Sequence, residues 1–336
     1  MTSDFQTIKK ILTSSTLPAY DDFFQVLNKA SECLDSEDKA YRPAASDGSA
    51  GGLIDFHTDE LPLIVVPDLH ARPYFLLNIL EYQLFEDMTV FEALEAGRVR
   101  LLSVGDILHT ERYTRERWAA AAAEFAAGIF TGPALSAEMQ EGLCLLHGLL
   151  LLKQTFPSYV HILKGNHENI LNTTGGGDYA FRKFADEGEM GMVFVQDYYG
   201  DDILYLINCV EKSLPLFYFG KKIVVSHAEP YRAYKREELI DARIIEGVVA
   251  GLTWTDNGSA AEGSAEGTIK NLCQTDDLAA VSDYVYLGGH RPVTGNYRLL
   301  QKGKYIQIHN PGKQNIALVQ ADKKFDPETD IRELKK

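Results

Sequence analysis

Apolar positions between Phe5 and Leu34 recur at helical spacing, as at Phe24, Leu27 and Ala30, and predict a helical N-terminal segment. The chain then turns polar and small from Ser36 to Gly52, which reads as a flexible linker. From Leu61 onward, short apolar runs alternate with longer helical patterns. The runs are Leu61–Val66, Val99–Val104, Tyr159–Leu163, Pro215–Phe219, Ile223–Val225, Val285–Leu287, Tyr305–Ile308 and Ile316–Val319. Their β-branched and aromatic content suits buried strands. Such alternation is the pattern of an α/β fold. A long insertion after the second run holds an Ala-rich stretch, Ala119 to Ala127, and a helix predicted to open at Ser136, a good N-cap residue. A further helix is expected over Arg236–Val249. The small-residue stretch Asn257–Gly267 reads as a mobile surface loop. The resulting division is a helical extension with linker over 1–58 and one α/β domain over 59–336.

Composition narrows the classes of function. The 336 residues are 45% hydrophobic and 24% charged, enough to build a large core and unlike a disordered chain. A net charge of −15 repels nucleic-acid backbones and anionic membrane surfaces, so neither is an expected partner. The most apolar stretch, Leu143–Leu152, is interrupted by His147 and Gly148 and falls short of the roughly 20 residues that span a bilayer. Cys33, Cys144, Cys209 and Cys273 are widely spaced with no C-x-x-C pair. They read as reduced thiols, and with no basic-then-apolar leader at the N-terminus the expectation is a cytoplasmic protein.

The informative residues follow the strands. Leu61–Val66 leads to Asp68-Leu69-His70, and Val99–Val104 to Gly105-Asp106. Tyr159–Leu163 leads to Gly165-Asn166-His167-Glu168, Ile223–Val225 to Ser226-His227, and Val285–Leu287 to Gly288-Gly289-His290. Functional groups of open α/β sheets gather where strands end and loops leave the buried sheet. Any one of these pairs or triplets is common by chance; five in order, each after an apolar run, are not. Carboxylate, imidazole and amide oxygen together suit divalent Mn, Fe or Zn. Two such ions about 3.5–4 Å apart can stabilise both attacking and leaving oxygens of an in-line phosphoryl displacement.

These motifs resemble those of the calcineurin-like metallophosphoesterase superfamily, and within it the phosphoprotein phosphatase family that includes symmetrical diadenosine tetraphosphatases. The resemblance runs from about Leu61 to Gln320. It extends to Leu214-Pro215-Leu216 before Ser226-His227-Ala228-Glu229-Pro230, to Leu252-Thr253-Trp254-Thr255-Asp256, and to His290-Arg291-Pro292-Val293 followed by Asn296-Tyr297. It implies a two-sheet β-sandwich flanked by helices (α/β/β/α). It further implies that Asp68, His70 and Asp106 hold one metal ion and Asp106, Asn166, His227 and His290 the other. A hydroxide bridging the ions would attack phosphorus, and His167 would protonate the leaving alkoxide.

One motif departs from the family. Where the family reads Gly-Asp-x-x-Asp-Arg-Gly, this chain reads Gly105-Asp106-Ile107-Leu108-His109-Thr110-Glu111-Arg112. His109 replaces the aspartate that orients the acid, and Thr110 replaces an arginine that holds phosphate. Arg72, Arg112 and Arg291 are the candidate replacements, since a guanidinium fork suits phosphate oxygens. The expected activity is that of a phosphomonoesterase acting on a small phosphorylated metabolite or a phosphoprotein. The alternatives are nucleotide pyrophosphohydrolysis, with Tyr113, Trp118 or Tyr297 as stacking surfaces, and a non-catalytic scaffold. His57, His147, His161 and His309 are read as structural.

Overall fold

The computed structural model describes residues 2–111 and 114–334. All eight apolar runs contain strands, and these supply eight of the eleven strands of the two larger sheets. In spatial order, the first sheet is Leu53–Phe56, Phe217–Gly220, Ile223–Ser226, Val285–Gly288, Tyr305–Gln307 and Arg298–Leu300. The second is Ile331–Glu333, Asn315–Val319, Leu63–Val66, Arg100–Ser103 and Val160–Ile162. Within the second sheet the last three strands are parallel; within the first, Ile223–Ser226, Val285–Gly288 and Tyr305–Gln307 are parallel. The motif-bearing strands of both sheets are therefore read out at carboxyl ends.

Strand side chains alternate faces, and here both faces are buried. Leu63, Val65, Leu102, Val225, Leu287 and Ile306 meet between the sheets. Ile64, Val66 and Leu101 point the other way, onto helices that include Pro133–Thr155 and Asp201–Ser213. Val224, Tyr286 and Tyr305 pack on a third cluster with the helices Val248–Thr253 and Ser264–Cys273. The layers are helix, sheet, sheet, helix, as expected, and apolar runs without polar alternation follow from burial on both sides.

The N-terminal segment departs from the expected extension. It forms two helices, Ser3–Leu12 and Tyr20–Asp35, separated by a turn that contains Pro18. Phe5, Ile8, Leu12, Phe23 and Leu27 are buried in the main core, each contributing about 1.5–3 kcal/mol by area. Nor does the polar stretch after Asp35 behave as a flexible linker. Arg42 is buried and donates to the carbonyls of Gly51 (2.8 Å), Leu34 (2.9 Å) and Ser213 (2.5 Å) and to Glu37 (2.6 Å). Glu37 also receives Lys153 at 2.5 Å. Strand Leu53–Phe56 then pairs in parallel with Phe217–Gly220, so the first 58 residues supply an edge of the sandwich.

Other boundaries shift for local reasons. The long helix opens at Pro133, whose missing N–H costs nothing at a first helical position; Ser136 lies in its first turn and bonds back to the Thr131 carbonyl. The helix expected over 236–249 is two short ones, Arg236–Ile240 and Val248–Thr253, with Gly247 left-handed between them. The 257–267 stretch carries the start of helix Ser264–Cys273.

Candidate metal centre

Six strand ends converge on one buried point. Asp68 and His70 come from the strand Leu63–Val66, Asp106 from Arg100–Ser103, and Asn166 and His167 from Val160–Ile162. The other sheet brings His227, His290 and, after Tyr305–Gln307, His309. The exposed fraction of each is 8% or less.

The loops are tied to one another in conformations that side chains resist. His70, Ala71, Asp106, His109 and His290 all have positive φ, a costly state for non-glycine residues that concentrates at functional sites. Cross-loop bonds hold them: His70 N–H to the Asp106 carbonyl (2.7 Å), Ala71 N–H to Ile107 (2.8 Å) and Gly289 N–H to His227 (2.7 Å). Glu168 accepts from the N–H groups of Asp106 (2.8 Å), Ile107 (2.8 Å) and Gly165 (2.6 Å), locking two motifs together. At Gly289, a Cβ would come within 2.0 Å of Asp68 Oδ1, so the motif needs glycine there.

Two donor groups result. In the first, His309 Nδ1 lies 3.3 Å from Asp68 Oδ2 and His70 Nε2 lies 3.6 Å from Asp106 Oδ2. Nδ1 of His70 is 3.1 Å from the His109 carbonyl, which fixes the proton on Nδ1 and frees Nε2 for a cation. In the second, Asn166 Oδ1 is 2.9 Å from both His227 Nε2 and His290 Nδ1. Nδ1 of His227 donates to the Val104 carbonyl at 3.0 Å, so Nε2 presents a lone pair. A lone pair facing an amide oxygen at 2.9 Å is repulsive unless a cation lies between them. Oδ2 of Asp106 touches both groups, 3.6 Å from His70 Nε2 and 3.4 Å from His227 Nε2.

Electrostatics agree with a cation site. Burial raises Asp106 to about 7, and burial together with the charges of Asp106 and Glu111 raises Asp68 well above the carboxylate range. Burial holds His70 near 3 and His227 and His309 near 4, so these imidazoles are neutral at pH 7. Both Asp68 oxygens, His70 Nε2 and His309 Nδ1 have no hydrogen-bond partner, at an individual cost of about 1–3 kcal/mol. Oxygen and neutral imidazole donors with unmet valence in a buried cluster fit divalent cations.

His309 and Glu111 are the residues that sequence reasoning missed. Nε2 of His309 meets Glu111 Oε2 at 3.0 Å, and Glu111 Oε1 lies 3.5 Å from His70 Nε2. Burial works to raise the Glu111 carboxyl, but His70, His309 and Lys183 hold it far below the usual range. A carboxylate on the outer nitrogen of an imidazole is the arrangement that orients metal-binding histidines. The signal was present, since His309 follows a strand by the same rule as the other candidate donors.

The remaining candidates separate. His167 lies beside Asp106, Nε2 to Oδ2 3.8 Å, but neither ring nitrogen of His109 bonds to it. Phe181 instead packs on the His167 ring with centroids 3.6 Å apart. Arg72 donates to the carbonyls of Leu69 (2.9 Å), Asp68 (2.5 Å), Asn310 (3.3 Å) and Lys313 (2.8 Å). These bonds tie the loop after Leu63–Val66 to the one after Tyr305–Gln307 and commit the guanidinium to backbone carbonyls. Arg291 is at the surface beside His290 and pairs with Asp256 at 2.5 Å. Arg112 and Tyr113 lie outside the described residues. His161 belongs to the buried Glu37 network and His147 packs against Phe23.

No family model and no curated protein matches the sequence. A protein serine/threonine phosphatase from Saccharomyces cerevisiae, with similarity to human phosphatase PP5, superposes with a TM-score of 0.59 at 15% identity, over 100% of this chain and 96% of that one. The chain has a calcineurin-like phosphoesterase fold. A cold-active protein-tyrosine phosphatase from a psychrophilic Shewanella gives 0.42 at 14% identity over 84% of this chain and 82% of that one. A protein provisionally assigned as a diadenosine tetraphosphatase gives 0.42 at 14%, over 84% and 97%. The fold is shared with that yeast phosphatase, and the described residues include buried groups of donors able to hold a metal ion.

Proposed function

We propose that the protein is a dinuclear metal-dependent phosphomonoesterase acting on a small phosphorylated metabolite or a phosphoprotein. The observation that carries this reading is Asp106, whose Oδ2 stands between the Asp68, His70, His309 group and the Asn166, His227, His290 group. One carboxylate shared by two sets of neutral donors is what a bridged pair of ions requires. When bound, divalent ions supply Lewis acidity toward the phosphoryl oxygens and activate water at neutral pH.

The chain's own residues supply orientation and a proton. The backbone N–H of His167 donates to Asp106 Oδ1 at 2.9 Å, fixing both residues relative to each other. Burial pushes the His167 imidazole well below its usual range. A phosphoryl dianion against the ring is the charge that restores its proton, making it an acid for the leaving alkoxide only when substrate is present. Trp118 is buried, with Nε1 donating to the Thr110 carbonyl at 3.1 Å, so it offers no face to a nucleotide base. Four free thiols support a reducing, cytoplasmic setting. Among the described residues no helix is long and apolar enough to cross a membrane.

The test is hydrolysis of p-nitrophenyl phosphate and its bis ester after chelation and resupply of Mn²⁺, with Asp106→Asn as control. Metal-dependent turnover of the monoester that Asp106→Asn abolishes is the expected result. Preference for the bis ester would move the activity to phosphodiester or pyrophosphate substrates. Metal-loaded protein no better than Asp106→Asn on either ester would favour a scaffold.

A further inference from the structure

The family's phosphate-holding arginine is absent here, since Thr110 occupies its place and is buried. Arg72 is committed to backbone carbonyls, and Arg291 to Asp256. A cation nevertheless stands at the centre. Lys183, on the segment between Asn166 and the helix Glu187–Tyr199, pairs with Oε1 of Glu111 and remains about one-third exposed. Glu111 in turn meets His309 Nε2 at 3.0 Å and lies 3.5 Å from His70 Nε2, so the ammonium is separated from the first donor group by a single carboxylate.

The segment is built to hold this lysine in place. Its backbone N–H donates to Glu187 at 2.7 Å, Phe181 N–H donates to Asn172 at 2.9 Å, and Gly188 N–H returns to the Phe181 carbonyl at 3.2 Å. Phe181 itself lies on the His167 ring. The same strand of chain thus positions the proposed acid and presents a positive charge beside it. Glu111 is already contacted by His70 and His309, so it retains partners when the lysine turns away.

We propose that Lys183 is the phosphate clamp of this protein: its ammonium exchanges Glu111 for an oxygen of the substrate phosphoryl group. The inference rests on the phosphoesterase reading above. It also selects the substrate class. The metal donors are 8% or less exposed, so the phosphoryl end alone enters, and an ammonium with three donors favours a terminal dianionic phosphate over a diester carrying one charge.

Mn²⁺-loaded wild type, Lys183→Gln and Arg182→Gln are compared by calorimetric binding of inorganic phosphate and by p-nitrophenyl phosphate kinetics, with bound metal counted in each. Arg182 is the neighbouring control, since it is exposed and pairs with Asp186. Losing a charge-assisted hydrogen bond should weaken phosphate binding about 10- to 100-fold in Lys183→Gln. KM should rise by a similar factor, kcat should change less, and metal content should stay the same. Arg182→Gln should stay within about threefold of wild type by the same measure. Phosphate affinity unchanged in Lys183→Gln, an equal loss in both variants, or no phosphate binding by wild type would each overturn the clamp. Wild type that binds phosphate but turns over no ester would instead count against the catalytic reading, and phosphate binding alone would then judge Lys183.

Discussion

Replacing His309 tests the one donor that the motif pattern left out. The side chain is fully buried, its Nδ1 faces Asp68 Oδ2 at 3.3 Å and its Nε2 meets Glu111 at 3.0 Å. If it is a ligand, His309→Ala removes one of four donors, with Asp68, His70 and Asp106 left on the first ion. Removing only an outer partner of a metal histidine costs 10- to 100-fold in affinity. Loss of the ligand itself should therefore cost at least about 100-fold, about 2.7 kcal/mol. Glu111→Gln, which keeps the imidazole but weakens its partner, should fall between about 10- and 100-fold. The assay is Mn²⁺ titration of chelated protein by calorimetry, with electron paramagnetic resonance of the loaded sample. Wild type should bind two ions with an exchange-coupled signal. His309→Ala should hold one ion tightly, in the Asn166, His227, His290 group, and give an uncoupled six-line spectrum. Two ions bound with affinities within threefold of wild type, and a coupled spectrum, would refute the assignment of His309.

Two further outcomes concern what supports the centre. Glu37→Gln leaves Arg42 and Lys153 buried without their carboxylate and should destabilise the fold by about 3 kcal/mol in urea at pH 7. Burial works to raise the Glu37 carboxyl, but His161, Lys153 and Arg42 hold it well below its usual value. The folded state thus stays ionised where the unfolded state takes up a proton, so this stabilisation is present above about pH 4.3 and is lost as pH falls. The gap between wild type and variant should narrow in that acid range, and a pH-independent gap would argue against the ion-pair account. Gly289→Ala forces a Cβ to within 2.0 Å of Asp68 Oδ1. It should cut metal affinity by about 100-fold or more, judged by analogy with displacing a ligand's partner, while circular dichroism stays native. Unchanged affinity would show that the loop yields freely.

The sequence by itself determined the layers and most of the donors. Period-two strands buried on both faces leave apolar runs that stand out from their surroundings. A metal-competent residue directly after such a run needs no long-range information to be noticed, and Asp68, His70, Asp106, Asn166, His227 and His290 could be named as candidates for that reason. Tertiary structure decided what depends on contact between distant segments. Arg72 looked like a clamp because its charge sits beside Asp68 and His70, yet its donors are taken by carbonyls at 310 and 313, more than two hundred residues away. Glu111 gained a role only when His309 arrived from the other sheet, and Lys183 only when the segment carrying Phe181 folded over His167. The first 58 residues read as an appendage because amphipathic helices and a polar stretch carry no record of the surface they cover. The two helices cover the helical layer outside the second sheet while Leu53–Phe56 joins the edge of the first, and no local pattern in residues 1–58 encodes either surface.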